Sequence, residues 1–254
     1  MREKILVIAA HPDDEVLGCG GAIAKKVFVE KAEVNCLILS KGVESRENIK
    51  NKKDKLKINL NAAKSANKIL GVKNLEILDF PDNKLDSVSR IKIIKEIEKR
   101  IKKFNPTTIY THFYGDLNVD HQVIALSVLT ACRPVKKNNI EKIYAFEVLS
   151  STDYTYGINK SFVPNHYECI DKSIKIKMKA LKKYHHEMRP FPHSRSYKAI
   201  LNLSKTRGSQ MFKKHAEAFI LIRSFSKWKF YLELIVIIKL VQVIYQDVIL
   251  YTKL

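Results

Sequence analysis

The residues with the most chemical potential lie close together near the start of the chain. Val7–Gly21 reads VIAAHPDDEVLGCGG, with His11, Asp13, Asp14 and Glu15 between an apolar run and a glycine-rich turn. Neighbouring carboxylates repel one another, and burying them requires positive charge nearby. A divalent cation is the simplest source of it. His11 and Asp14 could each give one ligand. A second polar cluster, Asp116-Leu117-Asn118-Val119-Asp120-His121, offers His121 as a third. Two imidazoles and a carboxylate leave a coordination position open, as catalytic zinc sites do. Asp13 would then face that position as a base, which is the machinery for hydrolysing an amide or ester. On these residues alone a second reading stands beside the first: Asp13 and Asp14 cap the following helix, and His11 is a loop residue.

The clusters can meet only if the fold brings them to one edge. Ile5–Ala10 reads as a buried strand and Leu17–Val29 as a helix opened by glycines. Strands follow at Glu33–Ser40, Leu75–Leu78, Thr107–His112 and Lys142–Glu147. Helices are expected at Lys52–Leu70 (stopped by Gly71), Ser89–Phe104 and Asp120–Ala131. This alternation implies an α/β fold, a Rossmann-like three-layer αβα sandwich around a mostly parallel sheet. In such sheets ligands sit beyond the carboxyl ends of the strands. His11–Glu15 follows the first strand directly and Asp116–His121 follows the strand ending at His112, so both emerge on that edge.

The composition narrows the classes further. The chain has 254 residues, 46% of them apolar, enough for one large domain with a full core. The four cysteines, Cys19, Cys36, Cys132 and Cys169, form no CxxC, which argues against a cysteine zinc finger or a disulfide framework and for thiols in a reducing cytoplasm. The net charge of +20 comes mostly from lysines spread along the chain, so no specific nucleic-acid partner is expected. Ile5–Ala10 is too short for a signal-peptide core. The segment YLELIVIIKLVQVIYQDVILYTKL is strongly apolar but interrupted by charges. It reads as an amphipathic helical extension over residues 224–254, after a domain of residues 1–223. Three uses are open to it: packing on the domain, a homo-oligomer interface, or peripheral contact at the inner face of a membrane.

The segments AAHPDDEVLGCGG and THFYGDLNVDHQ together resemble the PIG-L/LmbE-like family of metal-dependent N-acetylglucosaminyl deacetylases. LGVKNLEILDFPDNKLD, IYAFEV, PNHYECI, KALKKYHHEMRPFPHSRS and RGSQMFKKHAEAF resemble that family's later blocks in order, over about residues 3 to 223. The resemblance implies His11, Asp14 and His121 as ligands to Zn2+, with Fe2+, Co2+ and Mn2+ as other metals the set suits. It implies Asp13 as general base and an N-acetylated amino sugar as substrate; the basic surface and the apolar tail suit one carried on a nucleotide or lipid, with a small thiol-glycoside or a short chitooligosaccharide as the rivals within the family. Many members have histidine where this chain has Asn118, so oxyanion stabilisation falls to the metal, Asn118 or another donor. Asp120 would orient a ligand histidine or cap a helix, and Glu15 would brace the loop. His193 is expected as a substrate-side or acid residue, although Ser194 stands where proline is more usual. Arg46, Asp82 and Arg195 are expected substrate contacts, and His185 and His186 are expected on a helix. A rival class is a non-catalytic, metal-binding sugar-recognition domain, which would have no use for a spare base. A dinucleotide-binding protein fits poorly, because Gly18-Cys19-Gly20-Gly21 lacks the G-x-G-x-x-G spacing.

Overall fold

The computed structural model describes residues 2–42, 52–135, 138–157 and 160–225. Seven strands form one sheet: β1 (Lys4–Ala9), β2 (Glu33–Ser40), β3 (Asn74–Phe80), β4 (Thr108–His112), β5 (Lys142–Phe146), β6 (His166–Cys169) and β7 (Ala216–Ser224). Their order is β3-β2-β1-β4-β5-β7-β6. The β1–β2, β2–β3, β1–β4 and β4–β5 pairs are parallel, and β6–β7 is antiparallel. The helices are α1 (Asp14–Phe28), α2 (Lys52–Leu70), α3 (Arg90–Phe104), α4 (Val119–Ala131), α5 (Ile174–Leu181) and α6 (Tyr197–Ser209).

The alternation of side chains along β1 creates the three layers. Ile5, Val7 and Ala9 join a core with α1, α2 and α5, while Leu6, Ile8 and Ala10 join one with α3 and α4. A strand buried on both faces must be apolar along its buried length, as β1 is from Ile5 onward. Full burial of each such side chain contributes roughly 1.5–3 kcal/mol. The chain leaves β1 toward β2 and β3 on one side and returns to β4 and β5 on the other. The β1–β4 gap is therefore the point where the winding reverses, and a crevice opens there beyond the strand ends.

Helix α1 begins at Asp14, three residues before the expected start, and it bends at Cys19, whose φ/ψ is −143/19. The bend interrupts the helical ladder, and a buried ion pair repairs it. Lys177 Nζ donates to Leu17 O at 2.8 Å, while Glu217 accepts from the Gly21 and Ala22 amides at 2.9 and 2.7 Å. The two side chains meet at 2.6 Å. The glycines of this helix serve packing. A Cβ on Gly18 would lie 2.2 Å from the Phe146 ring, and one on Gly21 would lie 2.8 Å from Ile170. Such closeness lets α1 lie against the sheet. None of Gly18, Gly20 or Gly21 lines the pocket described below.

One further expectation is corrected. His185 and His186 lie in a turn after α5 and its 3-10 extension, Lys182–Tyr184, and not on a helix. All four cysteines are free thiols. Among the described residues no helix is long and apolar enough to cross a membrane. The helix expected within 224–254 falls almost wholly on residues 226–254, outside the described residues.

Candidate active site

His11–Asp14 forms a tight turn at the carboxyl end of β1. The Asp14 carboxylate accepts the His11 amide at 2.9 Å, which fixes the carboxylate beside the imidazole. Asp13 occupies the N-cap position of α1 with φ 112 and ψ −29, in the left-handed region that a side chain disfavours. Its side chain makes no capping hydrogen bond. The strained backbone is held from below. The Asp13 amide donates to Glu15 Oε2 at 3.1 Å, and Glu15 Oε1 accepts from Tyr184 Oη at 2.7 Å and Asn67 Nδ2 at 2.9 Å. Burial pushes the Glu15 carboxyl up to about 7 against these hydrogen bonds.

The second cluster arrives from β4 and α4. His121, in the first turn of α4, places Nε2 at 3.2 Å from Asp14 Oδ2. His11 Nδ1 lies 3.3 Å from the same oxygen. The other nitrogen of each ring faces another carboxylate: His11 Nε2 is 3.0 Å from Asp120 Oδ2, and His121 Nδ1 is 3.3 Å from Asp116 Oδ1. Asp120 is fixed by the Asn83 and Leu85 amides at 2.8 and 2.9 Å. Asp116 is fixed by Ser151 Oγ and by Thr152 Oγ1, the latter at 2.6 Å. Behind His121, the His112 ring stacks at 3.8 Å between centroids. His112 Nε2 accepts the Ala10 amide at 2.8 Å, so its own proton sits on Nδ1. Burial, together with the charge of His121, holds His112 well below the ordinary imidazole range.

The carboxylates of this crevice draw positive charge toward them. Burial lowers the affinity of His11 and His121 for protons, yet the carboxylates around them outweigh it and raise the two rings to about 10 and about 9. Burial works to raise Asp14, but His121 and His11 hold it well below the usual carboxylate range. One carboxylate oxygen and two imidazole nitrogens converge, and their carboxylate partners would orient the rings as ligands. His11, Asp14 and His121 fit a divalent ion, with ligand atoms within 4.8 Å of one another. His11, Asp82 and Asp120 also cluster within 4.8 Å. That set fits less well, because two backbone amides and His11 already occupy the Asp120 oxygens.

Asp13 stands beside this group, 3% exposed. Its Oδ2 accepts from Arg195 Nη1 at 3.1 Å, and Arg195 Nε donates to Ser150 Oγ at 2.8 Å. Burial pushes Asp13 up to about 8; Arg195 opposes this, and Asp14 adds to it. All of these groups border one cavity of about 250 Å³, whose wall also includes Asn59, Asp82, Ser151 and Glu187.

The crevice thus gathers His11, Asp13, Asp14, Asp82, His121, Arg195 and Asn118, with Glu15 and Asp120 behind them. Asn118, not Asp120, caps α4: its Oδ1 accepts the Asp120 amide at 2.8 Å, and its Nδ2 donates to Asn83 Oδ1 at 2.9 Å. His193 is exposed and off the cavity wall; its Nδ1 accepts the Arg195 amide at 3.0 Å. Arg46 lies outside the described residues. Sequence reasoning missed Asp116, Asn67 and Tyr184. Asp116 had a signal, since it lies in the same cluster as His121; the other two reach Glu15 only through the tertiary fold.

A family model described as PIG-L, GlcNAc-PI de-N-acetylase, matches residues 6–132, which carry both clusters. The chain belongs to the PIG-L family. Among its PIG-L-like relatives, the uncharacterized deacetylase YaiS of Escherichia coli is 26% identical over 189 residues, spanning 72% of this chain and 91% of that protein. The probable N-acetyl-alpha-D-glucosaminyl L-malate deacetylase 2 of Bacillus cereus is 27% identical over 163 residues, 62% of this chain and 73% of that one. The structure of the N,N'-diacetylchitobiose deacetylase from Pyrococcus horikoshii superposes with a TM-score of 0.71 at 19% identity, covering 87% of this chain and 84% of that chain. This likeness establishes the shared fold.

Proposed function

We propose that this PIG-L chain is a metal-dependent hydrolase that removes the acetyl group from an N-acetylated amino sugar, giving acetate and a free amine. The observation that carries the reading is the convergence of His11, Asp14 and His121 on one point, with Asp13 beside them and uncommitted to capping. The relatives' names point to the same bond: one is a probable deacetylase of an N-acetylglucosaminyl malate, another acts on diacetylchitobiose.

A divalent ion held by His11, Asp14 and His121, Zn2+ or another metal that suits this set, would supply Lewis acidity toward water and the acyl oxygen. Asp13 takes the proton of the attacking water as its oxygen bonds to the acyl carbon. The C–N bond then breaks, and the proton on Asp13 passes to the departing amine. Arg195 keeps Asp13 on the cavity wall through the collapse. It is also the one arginine or lysine among the described residues of that wall, so charge that the engaged Asn118 amide cannot offset falls to it. Asp82 also lines the wall, where a sugar hydroxyl would meet it. A cavity of about 250 Å³ suits a single ring with its acetamide, being smaller than most small-molecule sites, which span roughly 300–1,000 Å³. A binding module would gain nothing from the strained Asp13 backbone, which argues for catalysis.

The test is acetate release from N-acetylated sugars presented free, nucleotide-linked and lipid-linked, with and without a chelator. Release that ceases on chelation, returns with metal and is abolished by Asp13→Asn supports the reading. Full activity in metal-depleted protein, or in Asp13→Asn, overturns it. The arm with the highest kcat/KM identifies the carrier.

A further inference from the structure

Leu117 is out of keeping with its surroundings. The cavity wall is built of carboxylates, imidazoles, amides and hydroxyls, and among the described residues only Leu117 and Pro12 bring it apolar side chains. Pro12 is buried with its ring against Gly42, whereas Leu117 is 47% exposed. Leu117 stands in the turn between β4 and α4, a kind of segment in which polar residues and glycine are usual. Hydrogen bonds fix that turn on both sides of it. The Asn118 amide donates to Asp116 Oδ1 at 2.9 Å, and Gln122 Nε2 donates to Asp116 O at 2.6 Å. Both neighbours are tied to the crevice as well. Asp116 Oδ1 lies 3.3 Å from His121 Nδ1, and Asn118 Nδ2 donates to Asn83 Oδ1 at 2.9 Å. The backbone of Leu117 is therefore set relative to His121, and its isobutyl group faces the cavity.

We propose that Leu117 receives the hydrocarbon end of the acyl group and sets the acyl length that the site accepts. The proposal rests on the deacetylase reading of the cavity and adds the residue that selects the acyl chain. An acyl group has a polar carbonyl, suited to the charged side of the cavity, and an apolar methyl. Burying a methyl against carbon is favourable, whereas burying a polar wall group beneath it costs that group its water. Pro12 is already covered by protein, so Leu117 is the apolar surface left for the methyl to meet. The hydroxyl of Ser151 and the amide of Asn118 offer no substitute, since Asp116 and Asn83 engage them. In a cavity of about 250 Å³ the isobutyl group also takes up space that a longer acyl chain would need. One side chain thus favours acetyl by contact and disfavours larger groups by volume.

The experiment offers the metal-loaded full chain glucosamine carrying an N-formyl, N-acetyl, N-propionyl or N-butyryl group, and compares the parent with Leu117→Ala and Leu117→Phe. Release of the free amine gives kcat/KM for each acyl length. Calorimetry gives the affinity of each compound for the same chains carrying Asp13→Asn. The parent is expected to favour acetyl over propionyl by about tenfold or more in kcat/KM. Leu117→Ala should raise the propionyl-to-acetyl ratio by about tenfold, and Leu117→Phe should lower the acetyl-to-formyl ratio by a similar factor. No acetyl preference in the parent, or ratios that neither variant changes, overturns the proposal. An equal change at all four lengths, the result for a leucine that touches the sugar ring instead, overturns it too. If the parent releases no amine from any compound, the affinities decide. An acetyl preference that Leu117→Ala removes upholds the acyl contact and refutes only the deacetylase chemistry, whereas affinities indifferent to acyl length refute both. Leu117 is half exposed in a turn, so its substitution leaves the core intact.

Discussion

The Arg195 guanidinium lies 3.1 Å from the Asp13 carboxylate, although 182 residues separate the two in the chain. The contact joins the first turn after β1 to the loop before α6, and it places a fixed positive charge on the group proposed as base. Replacing that base is expected to lower kcat/KM by about 10²–10⁴-fold, the usual range for general acid–base groups. Arg195→Gln should cost somewhat less. If Arg195 acts through Asp13, Arg195→Gln will add little to Asp13→Asn, and a double-mutant cycle measures this directly. Additive losses would mean that Arg195 serves the substrate independently.

Metal affinity should depend on the carboxylates behind the histidines. Asp120→Asn and Asp116→Asn are each expected to weaken binding by about 10–100-fold, through loss of orientation at His11 and His121. His121→Ala removes a ligand and should weaken it more. Competition with a chromophoric chelator reads all three variants without reference to turnover. Unchanged affinity in both Asn variants would exclude the supporting role.

One carboxylate far from the crevice makes stability depend on acid. Burial would raise Glu168, but hydrogen bonds from His166 and Lys25 and the charge of Lys26 more than offset it and bring the carboxyl from its ordinary 4.5 to about 2. A carboxyl whose folded value is depressed stabilises the protein above its unfolded value, and that stabilisation is lost as pH falls. The window here runs from about pH 4.5 down to about pH 2, and the loss is on the order of 3 kcal/mol. Urea titrations across this range should give a shallower fall in stability for Glu168→Gln than for the parent. Parallel curves would refute the assignment.

The bend in α1 should make Lys177 intolerant of change. Its ammonium bonds the Leu17 carbonyl and Glu217 together, all of them buried. Lys177→Met leaves the Glu217 carboxylate uncompensated, for which the expected cost is about 3–5 kcal/mol. Chemical denaturation measures it. Pairing Lys177→Met with Glu217→Gln should recover part of the loss.

The parallel half of the fold was legible because its signals are local. β2 and α2 begin and end where the apolar pattern and the glycine stop at Gly71 place them, and β1, β3, β4 and β5 differ by one or two residues at their ends. The antiparallel pair β6–β7 carried no comparable signal. β6 has four residues, and Glu217 in β7 is buried for the sake of α1, which interrupts the alternation that a strand would otherwise display. The same distinction holds in the crevice. His11, Asp13 and Asp14 stood out by adjacency, and His121 by its place on the same sheet edge. Asp120 was ambiguous, since a carboxylate at a helix start fits a cap equally well, and only the contact with His11 decides between the two. His193 looked suitable by residue type, but the turn that carries it points the ring outward, next to Tyr154.

The left-handed backbone at Asp13 sets stability and chemistry against each other at a single residue. Glycine adopts that conformation without steric penalty, whereas a side chain there costs on the order of 1–3 kcal/mol. Asp13→Gly should therefore give a chain that resists denaturation better while losing the proposed base. Selection for robustness alone would favour the glycine. On the proposed reading, the aspartate at position 13 accepts that loss of stability so that its carboxylate can stand at the cavity as the base.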